Sequence, residues 1–201
     1  MTTTLHPPLN SDSTLPPAAE ALEQLLQRFI ELSHKLNLGL PTVEYDKNWL
    51  SECIIDEQPD EKGLVKWQPK IRRAEGVFSQ MEDALGVKFH PDVIAFYTHF
   101  WSDGIVASHS NGEISLIQIW NSEDEDMLKQ NLLGHAFAKQ KNRLPLTLFI
   151  GCTYNDDIIA IDNNSGHVVL ERPGFAPHET IANSISEFLN QLTPTLKPYN
   201  G

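Results

Sequence analysis

The amino-acid sequence predicts a single α+β domain in which a mainly antiparallel, twisted sheet packs against several helices. Three observations favour this class. Apolar residues recur with helical spacing in several separate segments, strand-sized apolar runs are joined by short turns, and the two kinds of segment follow each other along the chain. The 201 residues can bury one core, and a hydrophobic fraction of 40% with 21% charged residues is typical of a globular chain.

The beginning of the chain differs from the rest. Residues 1–17 are rich in Thr, Ser and Pro and lack apolar periodicity, so they are predicted to be a flexible leader, with residues 18–201 forming the domain. Neither a basic region nor a continuous apolar run of the kind found in secretory signals is present there, which predicts a cytoplasmic protein. Helical spacing from Ala18 predicts a first helix that ends near Leu36.

Alternating helical and strand patterns continue along the chain. Helices are predicted where apolar residues recur three or four apart, and Pro91 and Asn121 or Ser122 suit helix starts. The predicted helices are 74–85, a segment from Pro91 to Phe100, a segment from Asn121 or Ser122 to about Arg143, and a short one carrying Ile185 to Leu192. The predicted strands are 53–55, 64–67, 105–107, 113–120, 146–152, 158–161 and 168–170.

Acidic residues outnumber basic ones by 27 to 15, which gives a formal net charge of −12. This charge disfavours nucleic acid and bare anionic lipid as partners and favours a cationic protein or peptide. The acids are concentrated in two blocks, from Glu44 to Glu61 and from Asp92 to Asp126, and no Lys or Arg occurs in residues 89–128. Either the blocks share one face that attracts basic loops, or they point in different directions and serve solubility.

Catalytic and metal-binding patterns are absent from the sequence. The eight histidines and two cysteines show no spacing of a known nucleophile, phosphate-binding loop or zinc site, so no cofactor and no metal are expected. His90, His99 and His135 each have a capping or packing explanation, although a hydrolase built on them stays open as an alternative. Cys53 and Cys152 are predicted to be reduced thiols packed in apolar surroundings.

Five motifs follow one another in an order and at separations that resemble a known family. They are Trp67-Gln68-Pro69, the segment Ser115 to Asp124, Gln130 to His135, Leu144 to Ile150, and Glu187 to Leu192. Over residues 18 to 196 the chain resembles Syd, the SecY-interacting protein family. The resemblance implies a compact SUKH-related domain that is not an enzyme.

The resemblance also implies a partner and a location. The protein is expected to be a monomer attached peripherally to the cytoplasmic side of the inner membrane, with membrane contact only through the SecYEG translocon. There it would present an acidic face to basic cytoplasmic loops of SecY and act as a regulatory or proofreading factor for excess or unassembled SecY. The alternative is a SUKH-type immunity module that binds a basic toxin.

Eight acidic residues are the candidates for the partner-binding face. Glu123 and Asp124 lie in a matched motif, Glu44 and Glu52 lie before the Cys53 segment, and the others follow from charge clustering: Asp103, Glu113, Asp56 and Glu57. Reversing the charge of Glu123 and Asp124 together is expected to weaken binding and leave the fold intact. The motif residues Trp67, Trp120, Asn131 and His135 are expected to be structural.

Overall fold

Seven antiparallel strands form the central sheet of the computed structural model, which describes residues 15–72, 74–110 and 112–196. The helices are α1 (Pro17–Lys35), α2 (Ser79–Leu85), α3 (Pro91–Thr98), α4 (Ser122–Lys141) and α5 (Ile185–Gln191). The strands are β1 (Thr42–Glu44), β2 (Leu64–Lys66), β3 (Lys70–Ile71), β4 (Phe100–Trp101), β5 (Ile105–His109), β6 (Gly112–Leu116), β7 (Thr147–Thr153), β8 (Ile158–Asp162), β9 (Val168–Glu171), β10 (Glu179–Ala182) and β11 (Thr193–Pro194).

The strand order in the sheet is β10-β9-β8-β7-β6-β5-β11, and each neighbouring pair is antiparallel. Two further pairs, β1 with β2 and β3 with β4, lie outside this sheet. The predicted α+β class is therefore confirmed. Within the residues that the structure describes, no helix has both the length and the apolar content needed to cross a bilayer.

Helix α1 joins distant parts of the chain. Its apolar stripe, which includes Leu22, Leu25 and Phe29, is buried, and the helix contacts α3, α5 and β11. Arg28 donates from Nη2 to the carbonyl oxygen of Leu189 at 3.0 Å across a sequence separation of 161 residues. The predicted helix is confirmed to within one residue at each end. Of the predicted leader 1–17, residues 1–14 lie outside the described part of the chain.

The start of α4 is fixed by a reciprocal cap. The side chain of Asn121 accepts the backbone N–H of Asp124 at 2.8 Å, and the carboxylate of Asp124 accepts the backbone N–H of Trp120 at 2.9 Å. One unsatisfied donor of the helix and the N–H of the residue before the N-cap are thereby satisfied, in an arrangement related to a capping box. The predicted helix start is confirmed.

The helix predicted from Pro91 to Phe100 ends at Thr98, and three other predicted elements differ more strongly from the structure. The helix predicted at 74–85 begins only at Ser79, because Gly76 has a φ of +67° that an α-helix does not accommodate. The strand predicted at 113–120 ends at Leu116, where the chain turns to place Trp120 in the core. The segment 53–55 contributes a single bridge between Ile54 and Trp67 and not a strand.

The two cysteines have different environments. Cys53 is buried, and burial raises the pKa of its thiol to about 11. Cys152 is exposed on β7, between the buried residues Gly151 and Thr153. The prediction that both thiols pack in apolar surroundings is wrong for Cys152, because the alternation of the strand turns this side chain away from the core.

Candidate functional site

Two buried tryptophans lie close to both acidic segments of the sequence. Trp67 and Trp120 are buried, and their rings meet edge to face with centroids 5.8 Å apart. The structural roles expected for these two residues are confirmed. Of the other motif residues, His135 hydrogen-bonds through Nε2 with Thr147 Oγ1 at 3.1 Å, while Asn131 is exposed on α4.

Three hydrogen bonds join the segment 49–51 to the end of the β6–α4 connection. Ser51 Oγ donates to the Trp120 carbonyl oxygen at 2.5 Å, and Trp120 Nε1 donates to the Trp49 carbonyl oxygen at 3.1 Å. Asn121 Nδ2 donates to the Leu50 carbonyl oxygen, also at 3.1 Å. Because Glu52 follows Ser51 directly and Glu123 lies two residues beyond Asn121, the two acidic blocks of the sequence approach each other here.

Asp103 joins this group from the start of β5. The backbone N–H of Ser102 donates to the Ile119 carbonyl oxygen at 3.0 Å, which places Asp103 beside the segment leading to α4. Burial raises the pKa of the Asp103 carboxyl, and the nearby Asp124 carboxylate raises it further, against a hydrogen bond from the Gly104 N–H that lowers it. The charges of Asp103 and Asp124 are thus close enough to repel each other.

We call the four residues Glu52, Asp103, Glu123 and Asp124 the acidic junction. Within the described residues, Glu52 is the member that forms a salt bridge, with Lys70 Nζ at 2.6 Å, and this hydrogen bond lowers the pKa of Glu52. Glu123 is exposed in the first turn of α4, where Ser122 Oγ donates to its carboxylate at 3.0 Å. Three of the four carboxylates therefore lack a cation among the residues that the structure describes.

Asp124 has a structural role as well as a charge. Its carboxylate caps the backbone of Trp120, so a basic residue at this position would leave that N–H without its acceptor. This contact bears on the expectation that reversing both Glu123 and Asp124 leaves the fold intact: a cation at position 124 would remove the cap, whereas the side chain of Glu123 is exposed.

The other four candidates lie outside the acidic junction. Asp56 accepts the backbone N–H of Lys66 at 2.8 Å and lies 3.8 Å from its Nζ, and Glu57 is exposed in the same loop. Glu44 is exposed on β1, opposite Leu64. Glu113 pairs with Ser108 in the β5–β6 ladder. Ser108 lies three positions after Ile105, the first residue of β5, which is a distance of about 10 Å along the strand.

One cation that lies near the start of α4 was not indicated by the sequence. The guanidinium of Arg72 stacks 3.9 Å above the ring of Trp101 and is paired with Glu125 on α4. Lys129 also pairs with Glu125, at 3.0 Å. These contacts neutralise Glu125 in the acidic run on α4. Glu123 and Asp124, at the N-terminal end of the run, have no cation paired with them among the described residues. Arg72 and Glu125 are 53 positions apart, so no local sequence pattern indicates their ion pair.

His90 and His99 have the local roles that the sequence suggested. His90 Nδ1 accepts the backbone N–H of Asp92 at the start of α3, and His99 Nδ1 lies 3.1 Å from the Ala95 carbonyl oxygen. In the described part of the chain, His, Cys, Asp and Glu side chains form no group of three or more with the geometry of a metal site.

The family match covers nearly the same residues as the described fold. A model of the family described as Syd protein (SUKH-2) matches residues 19–194. The chain belongs to the Syd family. A protein named Protein Syd from Hahella chejuensis is 42% identical over 183 residues, which cover 90% of this chain and 95% of the relative.

Other Syd relatives match over a similar extent. Protein Syd from Pseudoalteromonas atlantica is 36% identical over 178 residues, covering 88% of this chain and 95% of the relative. Protein Syd from Alteromonas mediterranea is 37% identical over 174 residues, covering 86% and 94%. The matched segment contains α1 to α5 except the first two residues of α1, and it includes the whole acidic junction.

Proposed function

We propose that this Syd-family protein binds basic cytoplasmic loops of SecY through the acidic junction. It would attach peripherally to the cytoplasmic side of the inner membrane, with SecYEG as its contact to the membrane, and act as a regulatory or proofreading factor for excess or unassembled SecY. Its role is binding and not catalysis. Family membership suggests the partner, and the arrangement of carboxylates suggests the surface.

The convergence of the two acidic segments carries the proposal. The hydrogen bonds between segment 49–51 and Trp120 and Asn121 bring Glu52 to the start of α4. Burial, with a smaller contribution from the nearby Asp124 carboxylate, raises the pKa of Asp103. Carboxylates in such a group gain from an incoming Lys or Arg, since each ion pair relieves repulsion among the acids. The net charge of −12 would speed the approach of a basic loop.

Binding to SecYEG in nanodiscs tests the proposal. Affinity is expected to fall steeply as ionic strength rises from about 0.1 M to about 1 M, because the Debye length shrinks from about 10 Å to about 3 Å. Glu123→Lys is expected to weaken binding and to lower the free energy of unfolding by at most about 1 kcal/mol, since its side chain is exposed but lies in the first turn of α4, where an acid is favourable. Asp124→Asn removes the charge and keeps an oxygen for the Trp120 N–H.

Glu179→Lys is the matched control. Glu179 is exposed on β10 and lies beside His109, the last residue of β5. Asp103 precedes the other end of that strand, so the same charge change at Glu179 should leave SecYEG affinity unchanged. Equal loss of affinity in Glu179→Lys and Glu123→Lys would reduce the effect to net charge and contradict a docking site at the acidic junction. If the unmodified protein does not bind SecYEG at low salt, the proposal fails, and the basic toxin of the immunity-module alternative becomes the partner to test.

A further inference from the structure

A cavity of about 550 Å³ adjoins the acidic junction. It lies between the C-terminal half of α1, the segment 38–42, the start of β5 and the two residues that follow β11. Asp103 belongs to both the cavity and the junction. Most of the cavity wall is apolar, with contributions from Phe29, Leu36, Leu38, Leu40, Trp67 and Val106.

Part of this apolar wall is open to water. Leu36 and Leu38 are 52% and 65% exposed, respectively, although both line the cavity. Exposed apolar side chains that gather around a concave site, in contrast to scattered ones, are a feature of binding surfaces. An apolar group that entered the cavity would cover these side chains and gain the free energy of removing both surfaces from water.

Asp103 is the one charged residue among the described residues that line the cavity. Its carboxylate is half-buried and repelled by Asp124, so a cation placed beside it would be favoured. The cavity thus combines an apolar wall with one carboxylate that also belongs to the acidic junction. A peptide with an aliphatic side chain next to a Lys or Arg matches both features.

We propose that this cavity receives an aliphatic side chain of the basic segment that docks on the acidic junction. The aliphatic group packs against Leu36 and Leu38, and a neighbouring Lys or Arg pairs with Asp103. The inference rests on the proposed function for the identity of the partner. Specificity would then come from an apolar residue, in addition to the charges that drive association.

Two fluorescein-labelled peptides that differ at one position test this inference. Each carries two Lys and two Arg around a central residue, which is Leu in one peptide and Ala in the other. The full-length protein is expected to bind the Leu peptide at least about tenfold more tightly, because a hydrophobic pocket discriminates against missing methylene groups by this order. The comparison changes no residue of the protein and so cannot fail through misfolding.

A pair of protein variants locates the effect. Leu38→Ser is expected to abolish most of the preference for the Leu peptide, whereas Phe175→Ser is expected to keep it. The two side chains are similarly exposed, 65% and 66%, but only Leu38 is among the described residues that line the cavity. Retention of the full preference by Leu38→Ser would contradict the assignment to this cavity.

The outcomes separate this inference from the proposed function. Equal affinity for both peptides, with salt-sensitive binding to SecYEG intact, would overturn the cavity assignment alone. Leu preference without any binding to SecYEG would support the cavity and reject SecY as the partner.

A Leu preference that emerges only when residues 197–201 are deleted would identify the C-terminal segment as the occupant. Dimers that Leu38→Ser abolishes would identify a second copy. Either of these last two results overturns the proposal.

Discussion

Lys139 and Glu171 form an ion pair in the protein interior, with Lys139 Nζ 2.7 Å from Glu171 Oε2. The residues are 2% and 0% exposed, and the pair links α4 to β9. Thr147 Oγ1 donates to the same carboxylate at 3.0 Å, and the Phe175 carbonyl oxygen accepts from Lys139 at 2.8 Å. Burial raises the pKa of Glu171, but the hydrogen bonds from His135, Lys139 and Thr147 outweigh it and hold the pKa below its usual range.

Lys139→Met is expected to lower the free energy of unfolding by about 3–5 kcal/mol, because it leaves the Glu171 charge buried without its cation. Urea denaturation at neutral pH measures this change. The double variant Lys139→Met, Glu171→Met should recover most of the loss, since two apolar side chains of similar volume replace the pair.

Lys129→Met is the control on the same helix. Lys129 pairs with Glu125 and Asp126 near the surface, so its removal should cost at most about 1 kcal/mol. A similar loss in both lysine variants would mean that the buried pair contributes no more to stability than a surface pair.

Asp103→Asn is expected to raise stability at neutral pH and to weaken binding of a basic partner. The folded-state pKa of Asp103 is raised, so its ionised form opposes folding above that pKa, and the cost disappears as the pH falls below the unfolded value of about 3.9. The gain in the thermal midpoint should therefore be larger at pH 7 than below about pH 3.9. The amide oxygen can still accept the Gly104 N–H. An unchanged midpoint at pH 7 would contradict this account.

Asp124→Ala is expected to lower the free energy of unfolding by about 0.5–2 kcal/mol through loss of the cap on Trp120, whereas Asp124→Asn should lose less. Circular dichroism during urea denaturation gives both values. Ser122→Ala serves as the comparison, because Ser122 is exposed and its hydroxyl bonds only to Glu123 among the described contacts. The capping role would be refuted by equal stability of Asp124→Ala and the unmodified protein.

Ellman's reagent should modify one thiol rapidly in the folded protein and both in urea. Cys152 is exposed, whereas Cys53 is buried with a pKa of about 11 and is therefore almost entirely in the unreactive thiol form. Cys152→Ser should abolish the rapid phase, and Cys53→Ser should leave it. Rapid modification of Cys152→Ser would show that Cys53 is accessible.

Elements with a long repeated pattern were predictable from sequence. Helix α1 repeats its apolar spacing over 19 residues, and β8 and β9 are continuous apolar runs around a turn, so local preference and tertiary packing agree there. Strands β3, β4 and β11 have two residues each. Such short strands carry no periodicity and exist because a distant partner supplies the hydrogen bonds, so the sequence alone did not indicate them.

The candidate site was predictable in composition and not in geometry. The family resemblance indicated Glu123 and Asp124 and, through the segment before Cys53, Glu52. Charge clustering added Asp103, but it equally included Glu113, which the β5–β6 ladder places about 10 Å from the end that follows Asp103. The spacing of Asn121 and Asp124 was a local signal for a capping pair, and it could have shown that Asp124 has a second role. The contacts of Ser51 with Trp120 span 69 positions and required the fold.

The hydrogen bond from Arg28 to the Leu189 carbonyl has a consequence for synthesis. At about 5–20 residues per second, a ribosome needs roughly 8–32 s to extend the chain over the 161 positions between them. During that interval the apolar stripe of α1 lacks α5 and must be shielded by other surfaces or by chaperones. The cavity walls include Phe29 from α1 and Thr195 beyond α5, so this cavity is among the last features of the nascent chain to form.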